Sequence, residues 1–237
     1  MTNIPNKVSN SFSLMKEDFI SLFKDALVLF RTPLNWSIKA WSIIITFFIV
    51  FIISIFFVDN NLRIWILPNR NPFFNSVFSI FSSYGKAQSA LILSLIFYLA
   101  GLLFQKENIR SIGYKIFQLF IYSGLIVTIL KSLLGRWRPF NGMGPHYFTP
   151  FIIGQNAKLS LSSGDVAVAF SISSVFASLY DNIFWKCFWY FIASITSFGR
   201  IYHDQHWLSD VLLSALIAVS IGMWQNHYIR VKDKTVR

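Results

Sequence analysis

The chain has 237 residues, 54% of them hydrophobic and 18% aromatic, with only 13% charged and a mean hydropathy of +0.53. That balance excludes an ordinary water-soluble domain and favours a membrane protein over a soluble all-α core. The formal charge of +11 would suit nucleic acid, yet the basic residues are scattered among loops, so no nucleic-acid partner is expected.

Residues 12–31 alternate apolar and charged positions at helical spacing, and Thr32-Pro33 follows as a stop, which predicts an amphipathic helix lying at the inner membrane surface. Apolar runs of bilayer-crossing length, roughly 17 to 25 residues, then follow near 40–58, 87–104, 113–130, 164–180, 183–198 and 207–224. They predict an all-α, polytopic membrane helix bundle of about six transmembrane helices behind the N-terminal amphipathic helix. The fourth run carries several serines and the fifth is short and aromatic, so each is expected to be tilted or partly buried. The first run begins too far along the chain for a cleavable signal peptide and is expected to stay as an anchor.

Between the first two runs, 71–84 repeats apolar residues at similar spacing and is expected along the outer surface. The stretch 140–161 is the longest outer loop, broken by Gly142, Gly144, Pro145 and Pro150; His146 and Tyr147 within it are candidates to touch a substrate. A single cysteine, Cys187, excludes an intrachain disulfide and a cysteine-rich metal site. No repeat or linker interrupts the chain. It divides into an N-terminal segment 1–38, one membrane domain 39–225 and a basic tail 226–237.

With six crossings and both termini inside, thirteen of the 21 basic residues fall on inner segments, while the outside keeps Arg63, Arg70, Lys86, Lys131, Arg136, Arg138, Lys158 and Arg200. This asymmetry satisfies the positive-inside rule. The expected setting is a bacterial cytoplasmic membrane with cytoplasmic termini, and the same parity sends three polar blocks to the outer face.

Those blocks are Lys131 to Pro139, Ser162-Ser163-Gly164-Asp165, and Arg200 to Asp210. Lys131 and Arg138 stand two helical turns apart, so one helix face can present both, with Pro139 ending the helix. A charge at the bilayer centre costs roughly 2.5 to 3.5 kcal/mol, so such a cluster belongs at the interface, the depth of a phosphate head group. Ser163-Gly164 precede an apolar run and read as a helix start, where a Ser cap, close backbone approach and the helix dipole favour an anion. His206 and Asp210, at i and i+4, can share a helix face, the carboxylate fixing the imidazole tautomer.

Read in order, the blocks resemble the type 2 phosphatidic acid phosphatase family, of the acid phosphatase-haloperoxidase superfamily. Its pattern is Lys, six residues, Arg-Pro; then Pro-Ser-Gly-His; then Ser-Arg, five residues, His, three residues, Asp. Lys131, Arg138, Pro139, Arg200, His206 and Asp210 match; Ser162 stands for the Pro, Asp165 for the His and Gly199 for the Ser. The resemblance implies an integral membrane phosphatase acting on a lipid phosphate at the outer face, without metal or other cofactor. In it His206 becomes a phosphohistidine, Asp210 orients it, and Lys131, Arg138, Ser163, Gly164 and Arg200 bind the phosphate. Arg136 and His203 are expected around them as supporting residues.

Asp165 takes the place of the acid that protonates the leaving oxygen, help worth typically 10²- to 10⁴-fold. A carboxylate among three cations is a poor proton donor. A leaving group that departs as phosphate needs little protonation, so an isoprenyl diphosphate such as undecaprenyl diphosphate, or a sugar-1-phosphate lipid, is favoured over phosphatidic acid. A lipid phosphotransferase and a lipid-phosphate binder that has lost its acid are the alternatives. The bilayer-length runs argue against a vanadate-dependent oxidation enzyme, which shares the site design.

Overall fold

The structure, a computed structural model, describes the backbone of residues 4–235 and the side chains of residues 11–34 and 36–228. Helix α1 (Ile4–Arg31) ends at Arg31, just before Thr32-Pro33, and begins earlier than the 12–31 pattern implied. It carries exposed apolar residues such as Phe12, Phe19, Phe23 and Phe30. Its polar side is docked on the bundle through Asp18 and Asp25.

Ser37 caps α2 (Ile38–Ile53), its side chain accepting from the Ala40 N–H, and a π-helical turn, Ser54–Val58, carries the helix into α3 (Asp59–Ile66). Asn71 and Pro72 start α4 (Pro72–Tyr84), which meets α5 (Ala87–Leu103) at a 48° bend. Helices α6 (Glu107–Leu134), α7 (Gly164–Ala177), α8 (Ile183–Tyr202) and α9 (Leu208–Thr235) complete the bundle. The six apolar runs are therefore all helical. Among the described residues, Ile38–Asn69, Glu107–Leu134 and Leu208–Tyr228 are long and apolar enough to cross a membrane, and the bent α4–α5 pair makes a fourth if it is one span.

Helix α7 is only 14 residues long, about 21 Å at 1.5 Å per residue, against roughly 30 Å of hydrocarbon. Its position explains how so short a helix is stable, because Val166 through Ala177 are all buried by neighbouring helices. Val166, Ala169 and Phe170 pack with Ala193 and Tyr202 of α8 and Val211 and Ala218 of α9. Val168, Ile172, Val175 and Phe176 pack with Ala90 of α5, Ile116 and Leu119 of α6 and Ile221 of α9. Its serines bond across the interfaces, Ser171 to Ser123 of α6 at 2.9 Å and Ser173 to Tyr84 of α4 at 2.9 Å. Interhelical hydrogen bonds of this kind satisfy hydroxyls that lipid cannot.

Helix α6 stops at Leu134 and not at Pro139. Gly135 adopts φ +56, where glycine is favoured, and a Cβ there would lie 1.7 Å from the Thr149 carbonyl oxygen, so the chain must turn away and only glycine fits. Lys131 thus ends a helix while Arg138 sits in the following loop. Helix α9 runs on to Thr235 and takes in the start of the segment expected as a basic tail; the side chains from 229 onward lie outside the described residues.

Candidate functional site

One end of the bundle gathers the last turns of α6 and α8, the first turns of α7 and α9, and the loop 135–163. That loop is irregular but pinned: Trp137 N donates to Tyr147 O, Arg138 N to Ala157 O, Thr149 N to Gly135 O and Ser160 N to Arg136 O, all within 3.0 Å. His146 stacks on Phe56 with ring centroids 4.9 Å apart, and Tyr147 is exposed.

His206 is 3% exposed, in the turn between α8 and α9. Its Nδ1 lies 2.8 Å from the Ser160 carbonyl oxygen. A carbonyl can only accept, so Nδ1 carries the proton and Nε2 keeps its lone pair. Burial, with the charges of Arg138 and Lys131 behind it, outweighs the Asp210 carboxylate and pushes the imidazole down to about 4. The ring is neutral at physiological pH.

Asp210 does not hold His206 directly, since Asp210 Oδ2 is 3.8 Å from Nδ1. The i and i+4 expectation assumed one continuous helix, but α9 begins at Leu208, so His206 lies ahead of the first turn. Asp210 Oδ2 accepts instead from the Ser160 hydroxyl at 2.5 Å and the Trp207 N–H at 2.9 Å. The carboxylate fixes Ser160, and Ser160 fixes the imidazole.

Behind this pair sits Arg136, which is fully buried. Its Nη1 donates to Asp210 Oδ1 at 2.6 Å and to Ser209 Oγ at 2.6 Å, its Nη2 to Asp59 Oδ2 at 2.7 Å and its Nε to the Pro145 carbonyl at 2.9 Å. Asp59 also accepts from the Ser209 N–H at 3.0 Å, so α3, α9 and the loop are tied at one guanidinium. Sequence reasoning missed Asp59 and Ser160. The signal for Asp59 was a carboxylate at the end of the first apolar run, where ionisable groups are costly and therefore informative. Nothing local singles out Ser160.

In front of His206 the cations converge. The Lys131 ammonium lies 3.7 Å from where a Gly164 Cβ would be, so glycine leaves it room over the start of α7. Arg138 Nη1 donates to Gln205 Oε1 at 2.9 Å while its buried Nε has no partner. Burial and the adjacent Arg200 charge push Arg138 below the usual guanidinium range. Arg200 Nη1 is 3.3 Å from Asp165 Oδ2, and its buried Nε is likewise unpartnered, as is the Ser162 hydroxyl. Ser163 caps α7 by accepting from the Val166 N–H at 3.4 Å, and its own N–H is taken by Ser214 Oγ at 2.6 Å. What Ser163 can still offer an anion is its hydroxyl proton. His203 stands at the end of α8 with Nε2 buried and unpartnered. The site therefore combines a neutral imidazole, three cations and surplus donors, a set suited to an anion with several oxygens.

The model of the PAP2 superfamily matches residues 113–233. Two solved structures share the fold. Aquifex aeolicus LpxE is 23% identical over 72% of this chain and 96% of its own, with a TM-score of 0.55. The first transmembrane PAP2-type phosphatidylglycerolphosphate phosphatase from Bacillus subtilis is 18% identical over 81% of this chain and 96% of its own, with a TM-score of 0.58. No curated protein matches the chain.

Proposed function

The chain belongs to the PAP2 superfamily, and on that premise we propose that it is an integral membrane lipid phosphatase working through a phosphohistidine on His206. The observation that carries this reading is the Nδ1–H bond to the Ser160 carbonyl, which leaves the Nε2 lone pair on a neutral ring beside Lys131, Arg138 and Arg200. Nε2 attacks phosphorus, the N–P bond forms, and the leaving oxygen departs with the electron pair of the broken P–O bond. Lys131, Arg138, Arg200 and the Ser163 hydroxyl at the start of α7 beside Gly164 neutralise the oxygens on which transition-state charge spreads. Water then adds to phosphorus and the N–P bond breaks, returning the neutral imidazole. Asp210, held by Arg136, is a positioning residue acting through Ser160.

The Asp165–Arg200 pair supports an ionised Asp165. An ionised carboxylate cannot protonate a leaving alkoxide, but it can accept the proton of the attacking water. This favours substrates whose leaving group is already a stable anion, a lipid diphosphate above all, with the site opening on the outer face and both termini inside. The lost acid also keeps alive a second reading, a lipid-phosphate binder without turnover.

The test is phosphate release by the purified protein from isoprenyl diphosphate, isoprenyl monophosphate and phosphatidic acid, with His206→Ala as control. Turnover by the wild type, its loss in the variant and an acid-labile, base-stable phosphoenzyme support hydrolysis. Label transfer to a lipid hydroxyl in place of water would show a phosphotransferase, and binding unchanged by His206→Ala without any turnover would show a binder.

A further inference from the structure

Arg70 lies in the turn between α3 and α4, remote in sequence from every motif. Its guanidinium sits over the Tyr202 ring, 5.8 Å from the centroid, and the next residue is clamped to the same tyrosine by an Asn71 N–H bond to Tyr202 Oη at 2.7 Å. Tyr202 in turn packs edge-on against His203, ring centroids 5.7 Å apart. Arg70 is thereby fixed beside the end of α8. Both its Nε and Nη2 are buried without a partner, as are Nε2 of His203 and Nε of Arg200. After burial, the charges of Arg200 and then Arg70 hold the His203 imidazole below its ordinary value, so the three groups share one field.

The neighbouring arginine makes the contrast. Arg63, on α3, is bonded twice to Asp204, at 2.7 and 2.9 Å, and so is neutralised. Among the described residues Arg70 has no such carboxylate. Buried guanidinium nitrogens without acceptors are costly unless an anion completes them, and here three such nitrogens and one imidazole nitrogen lack partners, one of the three on Arg200, which also faces the phosphoryl pocket.

We propose that Arg70, His203 and the Nε edge of Arg200 form a second anion subsite, which receives a second phosphate group of the same substrate while the first lies against His206. The inference rests on the phosphatase reading above and sharpens its substrate class to lipids carrying two linked phosphates. The ligand chemistry is that of a phosphate dianion, and the free phosphate product is the other source that could supply it.

The experiment compares kcat/KM for an isoprenyl diphosphate and the matching monophosphate in the wild type, Arg70→Gln and Arg70→Lys; glutamine keeps part of the stem over Tyr202. Removing one charge-assisted contact should lower the diphosphate-to-monophosphate ratio about tenfold in Arg70→Gln, with lysine restoring most of it and monophosphate turnover holding within about twofold. Calorimetry with methylenediphosphonate and with inorganic phosphate gives a readout that needs no turnover. The wild type should prefer the diphosphonate, and Arg70→Gln should lose that preference while binding phosphate as before.

An unchanged ratio, an equal fall on both substrates, or an unchanged diphosphonate preference overturns the subsite. If Arg70→Gln weakens only inhibition by inorganic phosphate, the groups hold free product and the assignment to substrate is overturned. A protein that turns over no lipid but shows the Arg70-dependent preference refutes the phosphatase reading and keeps the subsite.

Discussion

Two polar clusters are buried at opposite ends of this bundle, and they differ in how their charges are balanced. At the end where α1 docks, Arg110 is paired with Asp18 and Glu107, Tyr98 donates to Asp18 at 2.7 Å, and Gln118 joins Asp25 at 3.0 Å and Gln225 at 2.6 Å. At the motif end, Arg136 is as fully paired, yet Arg138, Arg200, His203, Ser162 and Arg70 each keep buried atoms without partners. A closed network ties helices together; a network with surplus donors is built to take an anion from outside. The motif end contains both kinds, the closed part bracing the open part.

The strongest way to break this contrast is at its centre. His206→Ala should abolish turnover, by about 10⁴-fold or more, while leaving helix content and inorganic phosphate binding intact, since it removes the atom proposed to attack and none of the cations. Steady-state turnover alongside circular dichroism checks it, and residual activity within tenfold would mean another nucleophile.

Arg136→Met tests the closed part. It leaves Asp59 and Asp210 buried without their counter-charge, which should destabilise the protein by about 3 to 5 kcal/mol and slow turnover through misplacement of Ser160 and His206. Thermal unfolding in detergent, read with activity, measures both; a stable variant would mean that the two carboxylates find other partners.

Asp165→His adds an acid, and should raise turnover of phosphatidic acid up to about 10²-fold while changing diphosphate turnover little. Asp165→Asn is the control. Equal effects on both substrate types would remove the link between Asp165 and the leaving group.

The pH profile sharpens the electrostatic side. On the proposed mechanism, protonating Nε2 removes the nucleophile, so the acidic limb of kcat/KM should fall near the depressed value of about 4, well below the ordinary histidine value of about 6.5. The same depression means the unfolded chain binds the proton first, so the His206 contribution to stability is lost as pH drops from about 6.5 toward 4. An acidic limb at the ordinary value would indicate a solvated imidazole.

The smallest effect on catalysis belongs to the paired end. Arg110→Met should loosen α1 by about 1 to 3 kcal/mol, detectable as faster proteolysis or amide exchange of the α1 segment, with kcat unchanged within about twofold. A large loss of turnover there would couple the two ends and blur the distinction between them.

Much of this was legible in the linear chain. Every apolar run became a helix because a span must satisfy its backbone internally wherever lipid surrounds it, and α1 stopped at Arg31 where Thr32-Pro33 said it would. Gly135 as the end of α6 follows from helix-capping preferences, whereas Pro139 lies beyond it in the loop. The i and i+4 spacing does bring Asp210 to 3.8 Å from His206, but the bond that fixes the tautomer runs to the Ser160 carbonyl, a partner that spacing inside one helix could not show.

Sequence alone determined that this chain is an apolar helical bundle carrying Lys131, Arg138, Arg200 and His206 in a family pattern, because hydropathy and motif spacing are local properties. Only the tertiary structure decided what holds that pattern in place. Arg136 reaches Asp59 across 77 positions and Asp59 reaches Ser209 across 150, and Arg70 meets Tyr202 only because α4 folds against α8. Such partners are chosen by burial in a low-dielectric interior, where a charge must find a counter-charge wherever the fold brings one, and no window along the chain records that choice.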